Sequence, residues 1–243
     1  TGPTGSGKTT TLYATLRFLQ THEKNILSIE DPVEYTISRV NQIQVNPKVD
    51  LTFSTILRHV LRQDPNIIMV GEIRDVETAE LTAQAALTGH LVLGTLHTND
   101  APTGFVRLVD MGLPPFIVSS TVNGIVAQRL MRRICPHCKE EMRLTEEDRK
   151  RIPSRVDLSS LTLYKGKGCQ FCRNTGYRGR IAIYEVLNAS YDIRRNIVAH
   201  IDLDELIRQA RSEGMLSLRE AAWNTVAAGI STPQEMWRVT VED

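Results

Sequence analysis

The eight residues Gly2-Pro3-Thr4-Gly5-Ser6-Gly7-Lys8-Thr9 constrain this chain more than any other stretch. They fit the pattern of Gly, four variable positions, Gly-Lys and then Ser or Thr. In that pattern glycines let backbone N–H groups wrap phosphates, the lysine reaches the β- and γ-phosphates, and the hydroxyl ligates Mg²⁺. At average residue usage such a match arises by chance in roughly one chain of this length in a hundred. The plainer alternative is a turn rich in Gly, Ser and Thr that caps a helix. Because every required position is filled, Gly2 to Thr9, with Thr10 following, read as a site for ATP in which Lys8 contacts phosphate and Thr9 holds magnesium. A phosphate loop normally follows a strand, so that strand is expected upstream of Thr1, in a chain truncated at its N-terminus.

A loop of this kind needs an α/β domain behind it, and 243 residues allow one with a smaller module appended. No apolar run approaches the eighteen or so residues that cross a bilayer, so membrane contact is expected to be peripheral. Lys and Arg number 29 against 28 Asp and Glu, and a net charge of +1 supplies no global attraction to nucleic acid.

Periodicity then places the elements. Thr9 to Gln20 carries Leu12, Tyr13, Leu16 and Leu19 at helical spacing, and Asn25 to Ile29 is a short apolar run that ends in Glu30-Asp31-Pro32. Val40 to Val45 reads as a strand and Leu51 to Arg62 as a helix. Asn66 to Val70 reads as a central strand running into Gly71-Glu72-Ile73-Arg74-Asp75, where Asp75 can cap a helix with Val76, Ala79, Ala83, Ala86 and Leu87 on its apolar face. His90 to His97 reads as another buried strand, and Asn99-Asp100 opens the next helix. This alternation predicts a doubly wound, mostly parallel sheet. Beyond about Arg129 the texture changes to basic residues and Cys pairs. Further on, Thr145 to Arg151 reads as helical, Arg180 to Leu187 as a strand, and Asp202 to Arg211, Ser217 to Ala228 and Thr232 to Arg238 as helices, the last two opening with capping boxes. The expected division is an ATPase core at 1–130, a zinc-binding module at 131–188 and a C-terminal helical subdomain at 189–243.

Hydrolysis also needs acids that hold the metal and orient water. Glu30, Asp31 and Glu34 cluster where a strand ends, with an exposed turn acid as the alternative for any one taken alone. Glu72 stands where a metal-supporting acid belongs, although an Asp is the usual residue there. His90 and His97 emerge at opposite ends of one strand. His90 reads as structural, and His97, at the C-terminal end where ligands gather, as a γ-phosphate contact. Cys135-Pro-His-Cys138 and Cys169-Gln-Phe-Cys172 are two knuckles thirty residues apart, and four thiolates suit tetrahedral Zn²⁺. Disulfides or four buried thiols are the alternatives. Arg129, Arg132, Arg133, Arg173, Arg178 and Arg180 would make this module basic, as a solvated face or as a phosphate or protein surface.

Together these motifs resemble the secretion ATPase superfamily of type II secretion and type IV pilus assembly ATPases. GPTGSGKT is similar to that family's phosphate loop, IEDPVEY at Ile29 to Tyr35 to its Asp box, VGEIRD at Val70 to Asp75 to its atypical Walker B, and GHLVLGTLHTND at Gly89 to Asp100 to its His box. The resemblance implies a RecA-like core and assigns Glu34 as the catalytic glutamate that polarises water. It assigns Glu72 as the Walker B glutamate acting through Mg²⁺ and His97 as the second His-box histidine. The Cys pairs resemble the zinc module of the assembly branch. Also implied is a homo-hexameric ATP-hydrolysing motor, peripheral to the cytoplasmic face of the bacterial inner membrane. Such a motor works with a membrane platform protein and its cytoplasmic adaptor, not with nucleic acid. The family's N-terminal half supplies arginines to the nucleotide site, so residues 1–243 alone are expected to hydrolyse ATP poorly. The competing class is a nucleic-acid motor of the recombinase or helicase type, whose core would be similar.

Overall fold

The computed structural model describes residues 1–145, 161–199 and 202–240. It divides into two compact units, Thr1–Ala127 with Val186–Met215, and Gln128–Glu185 with Leu216–Asp243.

In the first unit the chain alternates helix and strand: α1 (Lys8–Leu19), β1 (Ile26–Glu30), β2 (Asn41–Gln44), α2 (Phe53–Val60), β3 (Ile67–Val70), α3 (Val76–Leu87) and β4 (Leu91–Gly94). The strands form one parallel sheet in the order β2-β1-β3-β4. Side chains alternate across a strand. Ile67 and Met69 of β3, with Ile26 of β1, pack with Tyr13 and Leu16 of α1 on one face. Ile68 and Val70, with Leu27 and Ile29, pack with Ile56, Leu57, Val60 and Ala85 on the other. Both faces are covered, which is the doubly wound arrangement the alternation predicts. The register pairs Glu30 with Gln44, Ile29 with Val70 and Val70 with Gly94, so the C-terminal ends of all four strands lie along one edge. Helices α4 (Pro102–Asp110), α5 (Pro115–Thr121), α6 (Tyr191–Ala199) and α7 (Leu203–Ser212) complete the unit.

Caps fall where the sequence places them: Asp75 accepts from the Thr78 N–H at 2.8 Å, and Asp100 from that of Thr103 at 2.7 Å. Two readings need correction. The buried face of α3 is Thr78, Ala79, Ala83 and Ala85, while Val76 and Leu87 are exposed, because small residues let this helix lie close against its neighbours. Strand β4, apolar throughout, ends the described sheet and is half-exposed instead of buried.

The chain leaves the first unit within β5 (Gly124–Ile134) and returns to it within β8 (Tyr177–Asn188), which pairs with β5. The second unit adds the antiparallel pair β6 (Lys139–Met142) and β7 (Leu163–Gly166), then α8 (Leu218–Ala227) and α9 (Pro233–Val239). These units cut across the three stretches 1–130, 131–188 and 189–243: α6 and α7 lie in the first and α8 and α9 in the second. Ser217 and Glu220 form a complete capping box, whereas Thr232 caps α9 without a return bond from Glu235, whose carboxylate is bound elsewhere. The helix expected over Thr145 to Arg151 lies, from residue 146 onward, outside the described residues. No helix among the described residues is long and apolar enough to cross a membrane.

Candidate active site and candidate metal centre

Gly5 and Gly7 hold φ of +79° and +91°, the left-handed region that favours glycine, and so turn the loop back on itself ahead of α1. A Cβ on Gly5 would meet nothing within 4 Å, so conformation and not space requires glycine there. Gly7 is the N-cap of α1 and offers no side-chain acceptor, which leaves the helix's N-terminal amides to serve an anion. Lys8 folds over the loop, its Nζ donating to the carbonyl oxygens of Gly2 at 2.6 Å and Pro3 at 3.2 Å. Pro3, Thr4, Gly5, Thr9 and Thr10 are exposed, and Gly2 and Ser6 are buried beneath them. Backbone turns, a cation and the exposed Thr9 hydroxyl therefore suit phosphate and magnesium.

The acids separate sharply. Alternation along β1 places Ile26, Ser28 and Glu30 on the α1 face, so Glu30 is buried. Its carboxylate accepts from Tyr13 Oη, from Ser28 Oγ at 2.6 Å and from Gln42 Nε2 at 3.0 Å. Asp31 and Glu34, beyond the strand end, are exposed. Of the three candidates, Glu30 is bound into the interior, and the turn after it presents the other two.

Glu72 follows β3 through Gly71, where a Cβ would approach the Ile29 carbonyl oxygen to 2.9 Å. The Gly71 N–H donates to that same oxygen at 2.7 Å, and Thr95 Oγ1 donates to the Gly71 carbonyl at 2.6 Å. Pinned this way, Glu72 meets Arg74 Nη2 at 2.5 Å and His97 Nε2 at 2.9 Å. The Arg74 hydrogen bond holds its carboxyl below the usual carboxylate range against the opposing effect of burial, with further help from the charges of Arg74, His97 and Lys8. The structure thus joins Glu72 to His97, a contact that depends on β3 and β4 being neighbours. Arg74 was missed by sequence reasoning, although its place two residues after Glu72 in an extended segment puts both on one side. His90, at the other end of β4, bonds through Nδ1 to the Ala85 carbonyl at 2.8 Å, the structural role expected of it.

In the second unit the four Cys Sγ atoms lie within 4.8 Å of one another. Three of the separations are 3.9 Å (Cys135 to Cys169), 3.9 Å (Cys138 to Cys172) and 3.7 Å (Cys169 to Cys172). A tetrahedron with Zn–S near 2.3 Å has edges of about 3.8 Å, whereas a disulfide needs about 2.05 Å. The thiols are free, and the set fits a tetrahedral ion. Backbone N–H groups of Gly168, Cys169 and Gly176 donate to Cys138 and Cys172 sulfurs at 3.2–3.3 Å, which stabilises thiolate character. His137 stands outside the set: it stacks on Phe171, centroid to centroid 4.2 Å, joining the tips of the two knuckles.

The arginines of this module do not form one solvated face. Arg129 is buried, and Arg132 donates through Nε and Nη2 to Glu235 Oε1 at 2.8 and 2.7 Å and through its N–H to Oε2 at 2.8 Å. Arg238 holds the same fully buried carboxylate from the other side. Arg133, Arg173, Arg178 and Arg180 are exposed.

A family model described as "Type II/IV secretion system protein" matches residues 1–238. The chain is 49% identical over 243 residues to the "Type IV pilus assembly ATPase PilB" of Thermus thermophilus, covering all of this chain and 27% of that protein. It is 50% identical over 244 residues to the "Type II secretion system protein E" of Pseudomonas aeruginosa, covering all of this chain and 48% of that protein. Among solved structures, the pilus retraction motor PilT with bound ADP superposes with a TM-score of 0.71 at 30% identity, over 99% of this chain and 60% of that one. The chain thus spans half or less of the length of these curated relatives.

Proposed function

This chain belongs to the type II/IV secretion system protein family, and from that premise we propose that it is the ATP-hydrolysing part of a motor for type II secretion or for assembly of a type IV pilus-like fibre. The observation that carries the reading is the convergence, at one edge of the sheet, of the segments after β1, β3 and β4 bearing Glu34, Glu72 and His97. Lys8 charge reaches Glu72 across that edge. The loop from Gly2 to Thr10 holds ATP, Lys8 neutralises its phosphates and Thr9 holds magnesium. Magnesium, when bound, draws charge from the transferring phosphoryl group. Glu72, kept as a carboxylate, supports the metal side; His97, fixed on Glu72, faces the γ-phosphate. Glu34, exposed on its turn, orients the attacking water. Cys135, Cys138, Cys169 and Cys172 hold zinc as a structural set.

Higher identity to proteins named for assembly and secretion than to the retraction motor supports the former job. A homo-hexamer peripheral to the bacterial inner membrane, acting on a platform protein through a cytoplasmic adaptor, follows as the working assembly. Glu34→Gln tests the chemistry. Nucleotide binding survives while turnover falls about 10²–10⁴-fold, read by phosphate release beside equilibrium binding. Equal loss of both makes Glu34 a binding or structural residue and defeats the assignment.

A further inference from the structure

Between the phosphate helix and the turn that carries Glu34 stands a single buried hydroxyl. Tyr13 lies five residues after Lys8 on α1 and is fully buried among Leu16, Ile26, Val40 and Met69. Its Oη donates to Glu30, and the same oxygen accepts from the Glu34 backbone N–H at 3.2 Å and from Gln42 Nε2 at 3.4 Å. Gln42 also donates to the Tyr35 carbonyl at 3.2 Å, and the Tyr35 ring meets that of Tyr13 edge-on at 4.7 Å. Strand register puts Gln42 beside Ser28, on the face where Glu30 lies, so the three polar groups form one closed network.

This network reaches the Glu34 turn from helix α1, and it does so through an atom that packing alone does not need. A phenylalanine would fill the same volume. A buried hydroxyl is retained where its bonds fix something, because losing one leaves buried partners without a hydrogen bond.

We propose that Tyr13, held by Glu30, is a positioning residue for the reaction: its hydroxyl fixes the Glu34 peptide relative to the first turns of α1, and hence the Glu34 carboxylate relative to the phosphates. The inference rests on the reading of Glu34 as the water-orienting group. Burial, and next the bond to Glu30, push the Tyr13 hydroxyl up to about 12, so it stays a protonated donor and takes no part as a base. Its role is geometric, and a displacement of the order of an ångström in a catalytic group costs about a hundredfold in rate.

The test is Tyr13→Phe in the intact protein, with Leu16→Ala as a packing control and Glu34→Gln as a reference. The expected result is a fall in kcat of about 10- to 100-fold, with the dissociation constant of a non-hydrolysable ATP analogue within about twofold of the parent. Combined with Glu34→Gln, Tyr13→Phe lowers turnover by no more than about a further twofold, since both act through one carboxylate. Glu30→Gln, which keeps an acceptor for Tyr13, gives the same split with a smaller fall, and it stands in if Tyr13→Phe does not fold. A parallel loss of kcat and nucleotide affinity, as expected of the Leu16→Ala control, overturns the proposal. So does full additivity with Glu34→Gln, or parental kcat in Tyr13→Phe while Glu34→Gln is inactive. Wild-type turnover in Glu34→Gln itself overturns this inference together with the reading beneath it.

Discussion

The proposed nucleotide edge of the first unit and the cysteine cluster of the second place their reactive groups in opposite ways. At the nucleotide edge, Lys8, Glu34, Glu72 and His97 come from four segments, and their relation is set by sheet register and by bonds such as those of Gly71 to Ile29 and Thr95. In the cluster, two knuckles bring four sulfurs to metal-ready spacing by local turns, backbone N–H groups and one ring stack. A site distributed over a sheet loses function when one group is removed while its scaffold persists. A site in which the ligands are the scaffold loses structure with its metal.

That contrast is sharpest for metal removal. Structural zinc contributes roughly 10–16 kcal/mol of apparent binding energy in isolated zinc-finger peptides, and an ion held by these four sulfurs would tie together the segments that flank β5, β7 and β8. Chelation under reducing conditions, or Cys135→Ser, is expected to release about one zinc per chain and to expose amides of the second unit to hydrogen exchange, with nucleotide affinity retained. Purified reduced protein that carries no zinc would remove one side of the comparison.

Lys8→Ala is the converse experiment. In the intact protein, turnover is expected to drop to background, at least about 10³-fold, with ATP binding severely weakened while far-UV circular dichroism and zinc content stay at parental values. Parental turnover in that variant would end the phosphate-loop assignment.

Within the second unit, Glu235 tests whether the fold there depends on more than metal. Burial alone would raise this carboxyl, but the bonds from Arg238 and Arg132 bring it down to about 2 from the usual 4.5. At about 1.4 kcal/mol per pH unit, this corresponds to about 3 kcal/mol. Because the folded value is the depressed one, that stability is present above about pH 4.5 and is lost as pH falls toward 2. Glu235→Gln is expected to lower the stability of this unit by a similar amount and to flatten its acid dependence in thermal melts recorded from pH 6 down to pH 3. An unchanged acid dependence would show that the arginine pair holds nothing.

The two regions were also unequally legible. The two knuckles and the grouping of their four sulfurs were legible outright, because spacing along the chain is what makes them. At the nucleotide edge, it located Glu72 after a strand but not its bond to His97, which requires knowing that β3 and β4 are neighbours. Glu30 and Glu34 looked alike in one acidic run. The alternation Ile26, Ser28, Glu30 was the available sign that Glu30 faces inward with the apolar set, and Tyr13, read only as an apolar helix position, was the partner it implied. Strand β5 went unread because Gln128 and Arg129, polar yet buried, break the apolar pattern of the series, while Val126 is exposed. The partnership of Arg132 with Glu235, 103 residues apart, has no local signal at all.

Arg74 gives the smallest expected effect and the finest test of how a distributed site tolerates loss. Its side chain is 61% exposed, and exposed ion pairs contribute little to stability, so Arg74→Gln should leave the melting temperature nearly unchanged. What it removes is the largest influence holding Glu72 below the ordinary carboxylate range. At neutral pH an ordinary carboxyl is still ionised, so turnover there should change by only about two- to threefold, through looser placement of Glu72. The difference should appear on the acid side. With Arg74 gone, Glu72 protonates at higher pH, and the acid limb of the kcat profile moves upward, while His97 still contacts the carboxylate. A profile that keeps its acid limb in place would mean that Glu72 ionisation does not govern turnover, and the metal-supporting role would pass to another acid on this edge.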